Sequence, residues 1–416
     1  MDRLVVEGGR RLRGSVAVNG SKNAALPILI ATLLTDEPCL LDNVPRLRDI
    51  RTTIRLLETL GKRVVSRGKT VVVMPGSRLR TRAPYDLVKQ MRASILVVGP
   101  LLARFGRARA ALPGGCAIGL RPVDIHLAGF VAMGARERPE GGDVILEGTL
   151  KPGRIRLRFP SVGATENLMM AAAGTPGETV IENAAREPEI EDLGKFLTAL
   201  GARVLGAGTT RLRIRGVRRL HGARHRVIPD RIEAGTFLIA CAAAGADARL
   251  IGAEPRHLGA LLAALRKSGA KLCRLESSIR IRMKGRPRPV SISTKPHPGF
   301  PTDLQAPWMA YMSLAKGRSR IREEIFERRF LHAAELIRMG ADVAVDGRTA
   351  VVTGVSELRG APVMASDIRA GAALIVAALA ARGESEIHRV YHIDRGYERV
   401  ERALRLLGGC VRRAKV

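Results

Sequence analysis

One sequence unit is written six times along the chain, and this repetition limits the possible folds more than any other feature. Six helix-like stretches end in an apolar or small residue plus glycine: LETLG at Gly61, FVAMG at Gly134, LTALG at Gly201, LRKSG at Gly269, LIRMG at Gly340 and LRLLG at Gly408, spaced by 67 to 73 residues. Glycine suits a helix end, where the chain turns through the left-handed region. Each stretch follows a short β-like run, such as PCLLDNV, ETVIENA or DARLIGA, and precedes β-rich segments such as KRVVSRGKTVVV and ADVAVDGRTAVVTG. Before each short run comes another helix, for example KNAALPILIATLL, DLVKQMRASILVVGPLLARF, DRIEAGTFLIACAAAG or SDIRAGAALIVAALAARG. Most of these first helices have little polar face, which predicts burial within the fold.

The unit therefore reads strand, helix, strand, helix, strand, strand, and six copies suit two lobes of three. A chain of 416 residues is long enough, at roughly 100 to 200 residues per domain. The chain opens with a lone strand, RLRGSVAVNG, and closes on GCVRRAKV. The expected lobes are thus 22–229 and 1–21 with 230–416, the terminal pieces completing one another. The first helices start with Lys22-Asn23, Ser161, Asp230, Thr302-Asp303 and Asp367-Ile368-Arg369. Helix N-termini attract anions, so a cleft between lobes with these ends turned inward would suit a phosphorylated substrate.

Composition narrows the function. Basic residues exceed acidic ones by 31, and 58 of the 70 are Arg. Arg pairs well with phosphate, but the excess is spread along the chain and aromatics are only 3%, so a base-stacking platform is not expected. No specific nucleic-acid partner is expected, and the surplus reads as a solvated basic surface. Five cysteines without a CxxC pair fit neither a zinc ribbon nor a disulfide framework and suit a reducing cytoplasm. The N-terminal MDRLVVEGGRRLRG has no apolar signal core, and the apolar run at 24–34 is short of the roughly 18 residues of a membrane span. No metal spacing, GxGxxG or GxxxxGK[ST] appears, so no metal and no cofactor are expected.

Cys116 lies in ALPGGCAIGLRP, where Arg121 could lower its pKa; it reads either as a functional thiol or as an incidental one. Lys22 at a helix start opposes the dipole and calls for an anion nearby. Arg92 and Arg369, in apolar surroundings, must each meet a carboxylate or a bound anion. Asp303 is an N-cap or a reactive carboxylate, and Asp394-Arg395 carries the same ambiguity. His126, two residues after Asp124, is a core histidine or a ligand.

Motifs in one order along nearly the whole chain carry a resemblance: GSKNAALP at 20–27, APYDLVKQMRASI at 83–95, LPGGCAIGLRPVDIH at 112–126, SVGAT at 161–165, ENAAREPEI at 182–190, PDRIEAGTF at 229–237, FPTDLQ at 300–305 and YHIDRGYER at 391–399. In these the chain resembles the enolpyruvyl transferases that act on UDP-N-acetylglucosamine. The resemblance implies an α/β fold, an inside-out α/β barrel of two lobes with three βαβαββ units each. It implies transfer of the enolpyruvyl group of phosphoenolpyruvate to the sugar 3'-hydroxyl, with release of phosphate, in a cytoplasmic monomer or weak oligomer whose active site lies in the interlobe cleft. Cys116 would be the active-site thiol that protonates C3 and that fosfomycin alkylates. Lys22, Arg121 and Arg395 would hold the phosphate, and Arg329 and Arg369 would lie near the carboxylate. Asp303 would stand at the attacking hydroxyl with Asp367 beside the reacting centre. Asn23, Arg92, Arg121, Pro122, Val123, Asp124, His126, Ser161, Val162, Gly163 and Ile325 would line the nucleotide-sugar site. Phe159 replaces a Lys found in some members, FERRF puts Arg328 beside Arg329, and Arg51 stands where an acid is common. Transfer to shikimate 3-phosphate, an RNA 3'-phosphate cyclase built on the same repeat, and a catalytically dead paralogue are the alternatives.

Overall fold

The structure, a computed structural model, describes residues 2–76, 78–88, 91–111, 123–140 and 142–415. These divide into two compact units, one of residues up to 19 and from 229 onward, the other of residues 20–228. Each unit has its own hydrophobic core.

Among the described residues there are six four-stranded sheets, and all follow one plan. In the sheet of the SVGAT repeat, Arg154–Arg156 runs parallel to Gly177–Glu182, which is antiparallel to Arg211–Gly216, which is antiparallel to the edge strand Arg203–Leu205. The helix Val162–Ala173 makes the crossover between the parallel strands, and Pro188–Ala199 connects the second strand to the edge. A parallel pair needs a crossover of this kind, whereas the antiparallel pair closes with a short turn. The six glycines that mark the repeat all have positive φ, from 84° at Gly408 to 109° at Gly61 and Gly201, so each second helix ends in a conformation costly for other residues.

The repeat is offset from the chain ends. The strand Asp2–Glu7 is an inner strand of the last repeat, antiparallel to both Glu384–His388 and Cys410–Lys415, with Leu4 opposite Ile387 on one side and Arg413 on the other. Leu12–Ala17 runs parallel to Ala246–Ile251, and Arg224–Arg226 runs parallel to Cys39–Asp42. The chain thus opens with two strands, not one lone strand. RLVVE is a short apolar run between charged flanks, without the alternation that marks a strand.

Helices lie inside each unit and sheets outside, an inside-out α/β arrangement. In the first unit the helices Arg231–Ala243, Gln305–Met312 and Ile368–Ala380 pack on one another, and Gln305–Met312 is buried at every residue. The outer strands alternate: in Arg211–Gly216 the leucine and isoleucine are buried while Arg211, Arg213 and Arg215 are exposed. Arg318–Arg322 repeats the pattern, so part of the arginine surplus is the solvent face of these sheets. The single helix expected over DLVKQMRASILVVGPLLARF is broken into Tyr85–Val88, the 3-10 turn Arg92–Val97 and Val98–Phe105. Pro100 has no N–H and falls in the first turn of Val98–Phe105, where none is needed.

Leu4 is fully buried in the closing sheet. Leu4→Ala should lower stability by about 2–5 kcal/mol in urea denaturation, whereas Arg215→Ala on the solvent face should change it by no more than about 0.5 kcal/mol.

Candidate active site

The sequence-predicted residues form two groups, one in each unit. In the second unit, Ser21 caps the helix Lys22–Ala31 by accepting from the Ala24 N–H at 3.3 Å, and Lys22 and Asn23 are its first two residues. Lys22 is 7% exposed and pairs with Asp49 in the first turn of Arg48–Thr59, Nζ to Oδ2 3.4 Å. Asp49 thus supplies an anion that the position of this lysine requires. Asn23 is half-buried.

Ser161 caps Val162–Ala173 in the same way, accepting from Ala164 N–H at 3.3 Å, and Val162 and Gly163 form its half-buried first turn. His126 lies over this turn: a Cβ on Gly163 would come within 3.3 Å of its ring. Asn167, fully buried, fixes that histidine. Its Oδ1 accepts from Gly99 N–H at 2.8 Å, so its Nδ2 is the group that donates to Ile95 C=O at 3.1 Å and to His126 Nδ1 at 3.1 Å. Nδ1 is then the acceptor and Nε2 carries the proton. Val123 is buried before the helix Asp124–Ala132, and Asp124 pairs with Arg158. Arg158 brings a positive charge beside the exposed Phe159. Cys116, Arg121 and Pro122 lie outside the described residues, as does the side chain of Arg92, whose backbone opens the turn Arg92–Val97.

In the first unit, Asp303 sits in the 3-10 turn Thr302–Leu304 after Pro301. It caps nothing by side chain. Its Oδ1 accepts from Arg329 Nη2 at 2.7 Å and its Oδ2 from Arg369 Nη2 at 3.0 Å. Both arginines are buried, at 4% and 8% exposure, and Arg329 Nη1 has no partner among the described residues. Burial alone would push the Asp303 carboxyl up, but Arg369 and Arg329 outweigh it and hold it well below the usual carboxylate range. Arg369 Nη1 donates to the Tyr397 hydroxyl at 3.3 Å, which meets Thr236 Oγ1 at 2.9 Å. Arg329 lies 5.0 Å over the Phe326 ring.

Asp367 is the helix cap here: its Oδ1 accepts from the N–H groups of Arg369 and Ala370 at 2.8 and 3.1 Å, and its Oδ2 accepts from Ser366 Oγ at 3.2 Å. Arg395 is half-buried at the end of the turn Val390–Arg395. That turn packs on the helix Ile368–Ala380 at Gly371, where a Cβ would come within 2.5 Å of Ile393. Asp394 is taken by Arg413 through two bonds of 2.6 and 3.0 Å. Ile325 is half-buried, and Arg328 and Arg51 are exposed.

Sequence reading passes over the residues that brace these groups. Glu323, fully buried, accepts from Thr294 Oγ1 at 2.8 Å, Thr302 Oγ1 at 2.9 Å and the N–H groups of Ile325 and Phe326 at 2.9 and 3.2 Å. It thereby joins the turn of Asp303 to the segment leading to Arg329. Only an acid inside an alternating strand, SRIREEI, hinted at this. His332 is buried, and burial pushes it down to about 4. In the second unit, burial pushes the Glu166 carboxyl well up, with Glu189 and Glu187 adding to the effect. Among the described residues no cluster of His, Cys, Asp and Glu could hold a metal, and no helix is long and apolar enough to cross a membrane.

Asn167→Ala takes the acceptor from the buried Gly99 N–H, at about 1–3 kcal/mol, and one of two donors from Ile95 C=O, which keeps the Val98 N–H. It should cost at least about 2 kcal/mol in urea denaturation and shift the His126 ring resonances. His332 binds its proton more weakly folded than unfolded, so stability is full above its ordinary value of 6.5 and falls as pH drops from there to about 4. His332→Gln should flatten the stability curve in that window; an unchanged slope would remove His332 as the cause.

The family described as EPSP synthase (3-phosphoshikimate 1-carboxyvinyltransferase) matches residues 6–404. Proteins named UDP-N-acetylglucosamine 1-carboxyvinyltransferase are similar over 99% of both chains, at 54% identity in Nitratidesulfovibrio vulgaris (strain DP4) and 52% in Trichlorobacter lovleyi. One of that name from Geobacter metallireducens is 51% identical over 100% of both chains. Among solved structures, the enolpyruvyl transferase NikO from Streptomyces tendae superposes with a TM-score of 0.89 at 26% identity, covering 99% of this chain and 98% of that one. EPSP synthase from Acinetobacter baumannii, at TM-score 0.76 and 17% identity over 100% of both chains, shares the fold. With a half-buried carboxylate held between two buried guanidiniums in one unit and capped, anion-attracting helix starts in the other, the chain belongs to the EPSP synthase family of enolpyruvyl transferases, among its UDP-N-acetylglucosamine 1-carboxyvinyltransferases.

Proposed function

We propose that the protein transfers the enolpyruvyl group of phosphoenolpyruvate to the 3'-hydroxyl of UDP-N-acetylglucosamine, releasing phosphate, as the first committed step of peptidoglycan precursor synthesis. The observation that carries this is 54% identity over 99% of both chains to a protein of that name. The reaction is an addition followed by an elimination. C3 of the alkene takes a proton, C2 becomes cation-like and is attacked by the hydroxyl, and the resulting ketal loses the C3 proton and expels phosphate. The chemistry calls for a proton donor, a base and dense positive charge around a trianionic substrate.

Asp303 is the base in this reading, taking the proton of the attacking hydroxyl, with Asp367 near the reacting centre. Arg329 and Arg369 receive the carboxylate of phosphoenolpyruvate; Lys22, Arg121 and Arg395 receive its phosphate. Cys116 delivers the proton to C3. Asn23, Arg92, Arg121, Pro122, Val123, Asp124, His126, Ser161, Val162, Gly163 and Ile325 bind the nucleotide sugar. His126 suits this because its proton is fixed on Nε2, leaving a defined donor. These residues come from both units, so the reading requires both to serve one pair of substrates. The protein acts in the cytoplasm as a monomer or weak oligomer, with no nucleic-acid partner.

Shikimate 3-phosphate is the acceptor named by the family description. The full-length relatives at 50% identity or more carry the nucleotide-sugar name, which favours UDP-N-acetylglucosamine. Purified protein should release phosphate only with both phosphoenolpyruvate and UDP-N-acetylglucosamine present; release with shikimate 3-phosphate instead would reverse the assignment. Fosfomycin should inactivate it over time and leave Cys116→Ser unlabelled. Arg395→Ala should lose about one to two decades in kcat/KM, the worth of one charge-assisted contact.

A further inference from the structure

Asp303 as the structure holds it is a poor base. Both of its oxygens already accept charge-assisted hydrogen bonds, at 2.7 Å from Arg329 and 3.0 Å from Arg369. A carboxylate stabilised by two buried guanidiniums has little affinity for a proton, and a general base works best when its own affinity is near that of its surroundings. The arginines are not matched in the same way. Arg329 is 4% exposed and its Nη1 has no partner among the described residues, an arrangement that leaves a buried cationic donor unsatisfied. Two guanidinium charges face one carboxylate, so the cluster has room for a second anion and a donor with nothing to donate to.

We propose that Arg329 and Arg369 clamp Asp303 in the resting protein, and that the carboxylate of phosphoenolpyruvate, arriving at Arg329 Nη1, draws both guanidiniums off Asp303 and so frees it to act as the base. This rests on the reaction proposed above and adds to it a reason why the base is silent until the acceptor's partner is seated. A deprotonating carboxylate released only with substrate bound avoids holding a strong base next to an idle hydroxyl. The arginines stay in place by other means: Arg369 through Nη1 on Tyr397, 3.3 Å away, and Arg329 over Phe326. With the guanidiniums tethered in this way, a small swing of each plane and a turn of the Asp303 carboxylate are enough to part them. The incoming carboxylate is met by the net positive charge of the cluster, two guanidiniums against one carboxylate.

The competition is reciprocal: if phosphoenolpyruvate weakens the hold on Asp303, Asp303 weakens the hold on phosphoenolpyruvate by the same factor. Calorimetric titration with phosphoenolpyruvate alone should therefore show about tenfold tighter binding in Asp303→Asn than in the unaltered protein, within the usual range of such couplings. Asp367→Asn removes the same charge nearby, from a group that accepts from backbone N–H groups and Ser366, and should gain much less. Equal gains in the two variants would mean a general field effect and would overturn the clamp, as would unchanged or weaker binding in Asp303→Asn. Should Asp303→Asn fail to fold, a structure of the unaltered protein with phosphoenolpyruvate decides: both Asp303 contacts must lengthen beyond hydrogen-bond range, and their persistence sinks the proposal. Phosphate release by the unaltered protein separates the two readings. Turnover without the affinity gain removes the clamp alone; the gain without turnover leaves the clamp and removes the assigned reaction.

Discussion

Helices with almost no polar face have to be buried on every side, and the sheets exist in this fold to cover them. QAPWMAYM in Gln305–Met312 and IRAGAALIVAALA in Ile368–Ala380 leave almost no exposed surface, and three such helices pack together within the first unit. The hydrophobic gain from covering them, at about 25 cal/mol per Å² of apolar surface, is the main force holding each unit together. It also decides where polar chemistry can sit. A side chain inside such a helix has no water, so charged groups gather at the ends, where unpaired N–H groups make anions welcome. Lys22, Ser161, Asp303 and Asp367 all stand at those ends.

Placing charges at the mouth of an apolar core has a price in desolvation, and the structure meets it by pairing. Lys22 has Asp49, and Asp303 has Arg329 and Arg369. Buried pairs of this kind add little to stability when compared with apolar residues of the same size, but breaking one by removing a partner costs about 3–5 kcal/mol. They are therefore better explained by what they bind than by what they stabilise. The bracing around them is neutral or backbone-directed. Glu323 spends its carboxylate on two threonine hydroxyls and two N–H groups, and Asn167 spends both ends of its amide. Such groups hold a shape without adding a competing cation near the substrate.

The repeat, the buried first helices and the positive-φ glycines were legible because each depends on local pattern. Arg369 was legible in kind: a charge in SDIRAGAAL had to meet an acid or an anion, and it meets Asp303. Which acid it meets could not be read, because Asp303 and Arg369 are 66 residues apart and packing alone joins them. Asp303 looked like a helix cap for the same reason, since an aspartate before a helix usually is one; the regular helix starts only at Gln305, and the carboxylate turns to the arginines instead. Asn167, Tyr397 and His332 carry no local signal at all, and Glu323 only that of an acid inside an alternating strand. Their roles come from three-way meetings of segments far apart in the chain.

The arginine surplus follows from the same architecture. An outer strand shows one face to a core that admits only Leu, Ile, Val and small residues, so any bias in composition is pressed onto the other face. In Arg211–Gly216 and Ser278–Met283 every second residue that faces solvent is arginine, and acids on the neighbouring strand answer several of them: Asp247 accepts from Arg280 and Arg282, and Glu178 from Arg213. Exposed pairs of this kind contribute little energy, roughly 0–1 kcal/mol, and are weakened by salt. Arginine is tolerated there because its long stem covers the strand beneath while its charge stays in water. Charge placed this way is free to vary without disturbing the helices inside or the groups at their ends, so a net charge of +31 is compatible with an unaltered core and an unaltered site.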